Sequence, residues 1–180
     1  MHINSTQSIL NINGKVQNLV LICYGNILRS QVLEQYLRYY SSLGNINIEL
    51  YSAGVAGSEE FPDKEKLFTE IRQELNKRNI PFSLHRNPWS NEVEERINFA
   101  DIIICADKEI RKKVLERMNS RISEETVYTF YGIISEGEKD FEDTYDYENN
   151  RQDPIRFQTA FDELDRIAKK MLSNYDNFIE

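Results

Sequence analysis

The sequence predicts a three-layer α/β sandwich built on a four-stranded parallel sheet, and three observations lead there. Two short runs, Leu19-Val-Leu-Ile-Cys23 and Ile102-Ile-Ile-Cys-Ala106, are apolar at every position, as in strands covered on both faces. Strand patterns alternate along the chain with segments whose apolar residues recur at helical spacing. The length of 180 residues suits one compact domain. Residues 1–16 are Asn- and Ser-rich without a period and read as an irregular leader; residues 17–180 read as a single domain.

The first strand covers Asn18 to Cys23. Tyr24-Gly25-Asn26 is turn chemistry, and from Ser30 the period changes: Val32, Leu33, Tyr36, Leu37 and Tyr40 make the apolar stripe of a helix. Asn47 to Ser52 alternates as a second strand ending at Ala53-Gly54. Pro62 opens a helix with Leu67, Phe68, Ile71 and Leu75 on one face, stopping near Asn79 before Pro81. After a loop with Pro88 and Trp89, a short helix runs from Asn91 to about Asn98. Asp101 to Ala106 is the third strand, and Asp107 is placed to cap the helix carrying Ile110, Val114, Leu115 and Met118. Val127 to Tyr131 reads as the fourth strand. The stretch from Ser135 to Asp153 is acidic and aperiodic, a long surface loop in which Asp140, Asp143 and Asp146 read as a solvated face. A final helix carries Phe157, Ala160, Phe161, Leu164, Ile167, Ala168, Met171 and Leu172.

Composition narrows the chemistry. The formal net charge of −8 opposes binding to nucleic-acid backbones and anionic membranes, so an anion site has to be built locally. Val16 to Leu28 is too short and too polar to span a bilayer, and Met1 to Leu10 lacks the pattern of a signal peptide. With only His2 and His85, no metal cluster is expected, and no cofactor is implied. Cys23 and Cys105 stand far apart in apolar runs, which is no disulfide framework and fits a reducing cytoplasm. Cys105, inside its strand, reads as a small core hydrophobe.

The first strand ends in Cys23-Tyr24-Gly25-Asn26-Ile27-Leu28-Arg29-Ser30, a Cys-x5-Arg-Ser sequence between a buried strand and a helix N-terminus. Five residues let the backbone curl so that successive N–H groups converge on a tetrahedral oxyanion. The helix N-terminus adds its positive end. Arg29 supplies a planar fork for two phosphoryl oxygens. Gly25 and Asn26 tolerate the positive φ such a curl requires. The same surroundings favour a thiolate at Cys23, with Ser30 able to donate to it.

These residues resemble the signature Cys-x-x-Gly-Asn-x-x-Arg-Ser of the low-molecular-weight protein-tyrosine phosphatases. Tyr51-Ser52-Ala53-Gly54, Ile80 to His85, Ala100 to Asp107 and Asp153-Pro154 extend the resemblance from about residue 17 to 173. It implies a flavodoxin-like sheet in strand order 2-1-3-4. It also implies a two-step reaction: Cys23 attacks phosphorus to form a phosphocysteine, while Asp153 protonates the leaving phenolate and then deprotonates the hydrolytic water. Arg29 and the loop from Tyr24 to Ser30 would hold the phosphoryl oxygens, with Asn26, Ser30, Ser52 and His85 bracing the loop. The implied substrates are tyrosine-phosphorylated proteins, with a bacterial tyrosine kinase as one such partner, and phosphate and vanadate as inhibitors. Read without the resemblance, Asp153-Pro154 is a helix start, with Asp at the N-cap and Pro in the first turn.

The sequence also departs from the family. Gln31 stands where many members have Pro, Leu28 where many have a second Cys, and Ile155-Arg156 where tyrosines usually follow Asp-Pro. Walls for a substrate ring are therefore expected from Tyr24, Trp89, Tyr145 or Tyr147. Ile27 resembles tyrosine-directed members more than those acting on phosphoarginine, which tend to have Thr. Two alternatives are an arsenate reductase of the same fold and a phosphate-binding regulatory module with weak catalysis. The first needs relay cysteines, for which only Cys105 is on offer; the second is separated by a turnover assay.

Overall fold

A computed structural model describes residues 17–61, 64–137, 139–146, 148–149 and 151–173. The leader 1–16, Pro62 and Tyr147 lie outside the described residues. The chain runs β1 (Gln17–Cys23), α1 (Arg29–Leu43), β2 (Ile48–Gly54), α2 (Lys64–Lys77), α3 (Asn91–Asn98), β3 (Ile102–Cys105), α4 (Lys108–Met118), β4 (Val127–Thr129), β5 (Tyr145–Asp146), β6 (Arg151–Gln152) and α5 (Pro154–Leu172). β1 to β4 form a parallel sheet in the order β2-β1-β3-β4, as expected.

Strand alternation sorts the two apolar runs between two cores. Leu19, Leu21 and Cys23 of β1, with Ile102 and Ile104 of β3, face a core shared with α1, α2 and α5. Val20, Ile22, Ile103 and Cys105 face the other core, with Val93 and Ile97 of α3 and Ile110, Val114 and Met118 of α4. Both faces are covered, which is why polar residues never interrupt these runs. The third layer follows from the stripe of α5, whose Phe161, Leu164, Ile167 and Ala168 are fully buried.

The order places β1 between its neighbours at the point where the connections reverse direction, so a crevice opens beyond its carboxyl end. Registers bring Cys23 beside Gly54, and Ile22 beside Cys105. The long acidic stretch is more structured than its sequence suggests. β5 and β6 pair antiparallel within it, Thr144 Oγ1 donates to Gln152 Oε1 at 2.7 Å, and Phe141 N bonds Ala106 O at 3.0 Å. These bonds fold the stretch back over the end of β3. Among the described residues, no helix is long and apolar enough to cross a membrane.

Candidate active site

The loop between β1 and α1 curls as its sequence requires. Asn26 takes a left-handed φ of 53°, and its N–H points back to Cys23 Sγ at 3.2 Å. Ser30 Oγ lies 3.1 Å from the same sulfur. Leu28 occupies the N-cap of α1 without a side-chain cap, and the first turn has no acidic residue, so no side-chain anion competes for the helix N-terminus. Gly54 makes room for the curl: a Cβ there would sit 2.6 Å from Tyr24 O and 2.9 Å from Asn26 N.

The bracing runs through Asn26, which is fully buried. Its Nδ2 donates to Ser30 Oγ at 2.9 Å and Ser52 Oγ at 3.0 Å. Its Oδ1 accepts from Gln31 Nε2 at 3.1 Å and Asn87 N at 2.8 Å. Ser52 Oγ donates in turn to the buried carboxylate of Glu34, whose other oxygen pairs with Arg38. His85 is outside this network. Its Nδ1 meets Ser83 O at 3.2 Å, and the expected bracing position is filled two residues later by Asn87, whose Nδ2 donates to Ser52 O at 2.8 Å. Arg86 adds a bond from Nε to Gly25 O at 2.9 Å.

Arg29 is buried, with both terminal nitrogens engaged. One terminal nitrogen donates to Asp107 Oδ2 at 2.7 Å and to Phe141 O at 3.1 Å; the other pairs with Asp143 Oδ2 at 3.0 Å. Burial works against its charge, but Cys23, Asp143 and Asp107 outweigh that and hold the guanidinium above its ordinary pKa. Asp107 serves twice, since its Oδ1 also caps α4 through Ile110 N at 2.7 Å.

A small cavity of about 20 Å³ lies over the loop, bounded by Cys23, Ile27, Arg29, Phe61, Asp143 and Tyr145 among others. A larger hollow of about 550 Å³ beside α3, rimmed by Glu49, Tyr51, Arg96 and Phe99, has no cysteine in its lining. Cys23 and Arg29 border the smaller one.

Asp153 is not among the residues around the small cavity. Its Oδ1 accepts from Ile155 N and Arg156 N, both at 3.0 Å, so this oxygen caps the N-terminus of α5. The structure thus shows Asp153 in the helix-start position that Asp-Pro reads as by itself, away from the lining of the small cavity. Asp143, expected on a solvated face, borders the cavity instead and pairs with Arg29. Its one sequence signal was the aromatic Tyr145 two residues on, the kind of neighbour that Asp153 lacks. Of the expected ring walls, Tyr145 borders the cavity, whereas Tyr24 is not in its lining and meets Phe61 edge-on at 6.2 Å. Trp89 is elsewhere, its indole N–H bonded to Glu94 and its face under Arg117 at 4.8 Å. Phe61, which no pattern singled out, completes the wall. Among the described residues, no group of three or more metal-ligating side chains is placed to hold an ion.

The family model described as low molecular weight phosphotyrosine protein phosphatase matches residues 18–177. The chain belongs to that family. Solved structures agree on the fold. A low molecular weight protein tyrosine phosphatase from T. tengcongensis superposes with a TM-score of 0.69 at 21% identity, covering 88% of this chain and 99% of its own. One from Vibrio cholerae O395 gives 0.70 at 19%, covering 87% and 95%. The YwlE arginine phosphatase from Geobacillus stearothermophilus gives 0.68 at 19%, covering 87% and 91%. No curated protein matches the chain. Family membership thus gives a phosphatase of the hydrolase class, while its structural relatives include enzymes named for tyrosine and for arginine.

Proposed function

We propose that this phosphatase hydrolyses phosphotyrosine in cytoplasmic proteins through a phosphocysteine on Cys23. The observation that carries this reading is the convergence on one sulfur of the Asn26 N–H and the Ser30 hydroxyl, with Leu28 and Arg29 at the start of α1 and Asp143 bordering the same cavity. Amides of the loop from Tyr24 to Ser30 hold the three equatorial oxygens as charge builds on them. Arg29 closes the ring by giving up one carboxylate partner for the phosphoryl oxygens. Cys23 Sγ attacks phosphorus as the bond to the phenolic oxygen breaks, and Asp143 delivers the proton to that oxygen. Asp143 then takes a proton from water, which attacks the phosphocysteine and releases phosphate and the thiolate.

The tyrosine preference rests on Ile27 in the loop and on the aromatic rings of Tyr145 and Phe61 beside the cavity. Substrates are then phosphoproteins, among them a tyrosine kinase of the same cell, with phosphate and vanadate as competitors. The test is hydrolysis of phenyl phosphate and of a phosphoarginine peptide by the pure protein, with vanadate as competitor. Phenyl phosphate should turn over faster, vanadate should inhibit, and Cys23→Ser should abolish turnover. Turnover retained in Cys23→Ser would remove the nucleophile, and a preference for phosphoarginine would reverse the substrate assignment.

A further inference from the structure

The cavity over the loop has room for about one water molecule, far short of phosphorus and its three oxygens. Two contacts close it. Arg29 is paired with Asp143, and the ring of Phe61 stands edge-on to Tyr145, with centroids 5.7 Å apart at 84°. Phe61 also lies on the loop itself, where a Cβ added to Gly25 would come within 2.9 Å of its Cε2.

The backbone of Phe61 is unusual for an aromatic residue. Its φ of 67° lies in the left-handed region, which costs a bulky side chain energy unless its surroundings enforce it. The surroundings here do so. Arg86 covers the ring at 5.5 Å and ties Gly25 O to Gly57 O through its guanidinium. Glu60, next to Phe61, accepts from both the Tyr24 hydroxyl and Gly57 N. The segment is thus strapped to the cradle with its ring turned over the opening.

We infer that Phe61 is the gate of the phosphate cradle: it closes the site against Tyr145 in the free protein, and a phosphoryl group is admitted only when the two rings part. The inference rests on the proposed phosphate-binding role of the loop. A gate differs from a wall that grips the substrate ring, because a gate also restrains a ligand that has no ring. Inorganic phosphate is that ligand.

The experiment is calorimetric titration of inorganic phosphate into the wild type, Phe61→Gly, Tyr145→Ser and the double variant, alongside KM for phenyl phosphate. Glycine suits the positive φ, and Tyr145→Ser opens the same contact should Phe61→Gly fold poorly. Losing an aromatic pair that holds a closed state should tighten phosphate binding about 2–10-fold. The double variant should gain little beyond either single one, since each breaks the same contact. Unchanged phosphate affinity with a raised KM for phenyl phosphate would overturn the inference and leave Phe61 a ring wall. Weaker phosphate binding would overturn it too, making Phe61 a prop for the loop. If no form binds phosphate, including the wild type, the cradle reading itself fails.

Discussion

The two cysteines show how position, not identity, sets reactivity. Cys105 is fully buried in β3, and that burial pushes its thiol far above the ordinary value. Cys23 ends β1 at the cavity, with a hydroxyl and an amide on its sulfur. Iodoacetamide at neutral pH should therefore modify Cys23 and spare Cys105, with added phosphate slowing the reaction; peptide mass mapping reads the sites. Equal labelling of both would contradict it. The aspartates give the matching lesson. As the N-cap of α5, Asp153 should cost about 0.5–2 kcal/mol of stability on replacement by alanine, measured by urea unfolding, with hydrolysis little changed. Asp-Pro opens a helix and also marks the family's acid loop, so the dipeptide alone could not assign Asp153. Asp143 has Thr144 after it, and beyond the aromatic Tyr145 two residues on, it is the fold-back of its segment onto Arg29 that singles it out.

At the scale of elements, the loop after β1 depends on what β2 offers it. The two apolar runs and the helical stripes were legible because alternation and the 3.6-residue period are local properties. The match of Cys23 with Gly54 is a register between distant segments, and no local pattern encodes it. Gly54→Ala places a methyl against backbone atoms of Tyr24 and Asn26 that cannot move away without uncurling the loop. It should destabilise the protein by about 1–3 kcal/mol and lower phosphatase activity more than thermal stability suggests. A variant with wild-type activity would mean the curl has slack. Bracing by Asn87 instead of His85 was equally hidden, because residues 80–90 contain no regular structure from which to read which side chain turns inward.

Across the whole molecule, charge works locally despite the acidic total. Glu136, after β4, pairs with Arg166 and Lys170 of α5, and these cations pull its carboxyl down to about 2. A folded value below the ordinary one means stabilisation that is present above the ordinary glutamate range and is lost as pH falls toward 2. Glu136→Gln should lower Tm at neutral pH and narrow the gap to wild type as pH drops through that window. A gap that stays constant from neutral pH to acid would show that the pair contributes nothing to linkage. The parallel sheet was legible from the alternation of strands and helices, and its order only through the family resemblance that the loop motif carries. The closing of the acidic stretch over the site was not, because it is made by side-chain and backbone bonds to Arg29 and Ala106.

In the proposed mechanism Cys23 and Asp143 carry the reaction, with Asp153 confined to the helix. The most direct measurement is kcat for a series of substituted phenyl phosphates of graded leaving-group acidity, on the wild type, Asp143→Asn and Asp153→Asn. General acid catalysis is worth about 10²–10⁴-fold, and a leaving group that departs as a stable anion does not need it. Wild type and Asp153→Asn should depend weakly on the leaving group, whereas Asp143→Asn should fall by that factor for phenyl phosphate and recover toward wild type for the most acidic phenols. A steep dependence in Asp153→Asn with Asp143→Asn unchanged would return the acid to Asp153 and contradict the assignment.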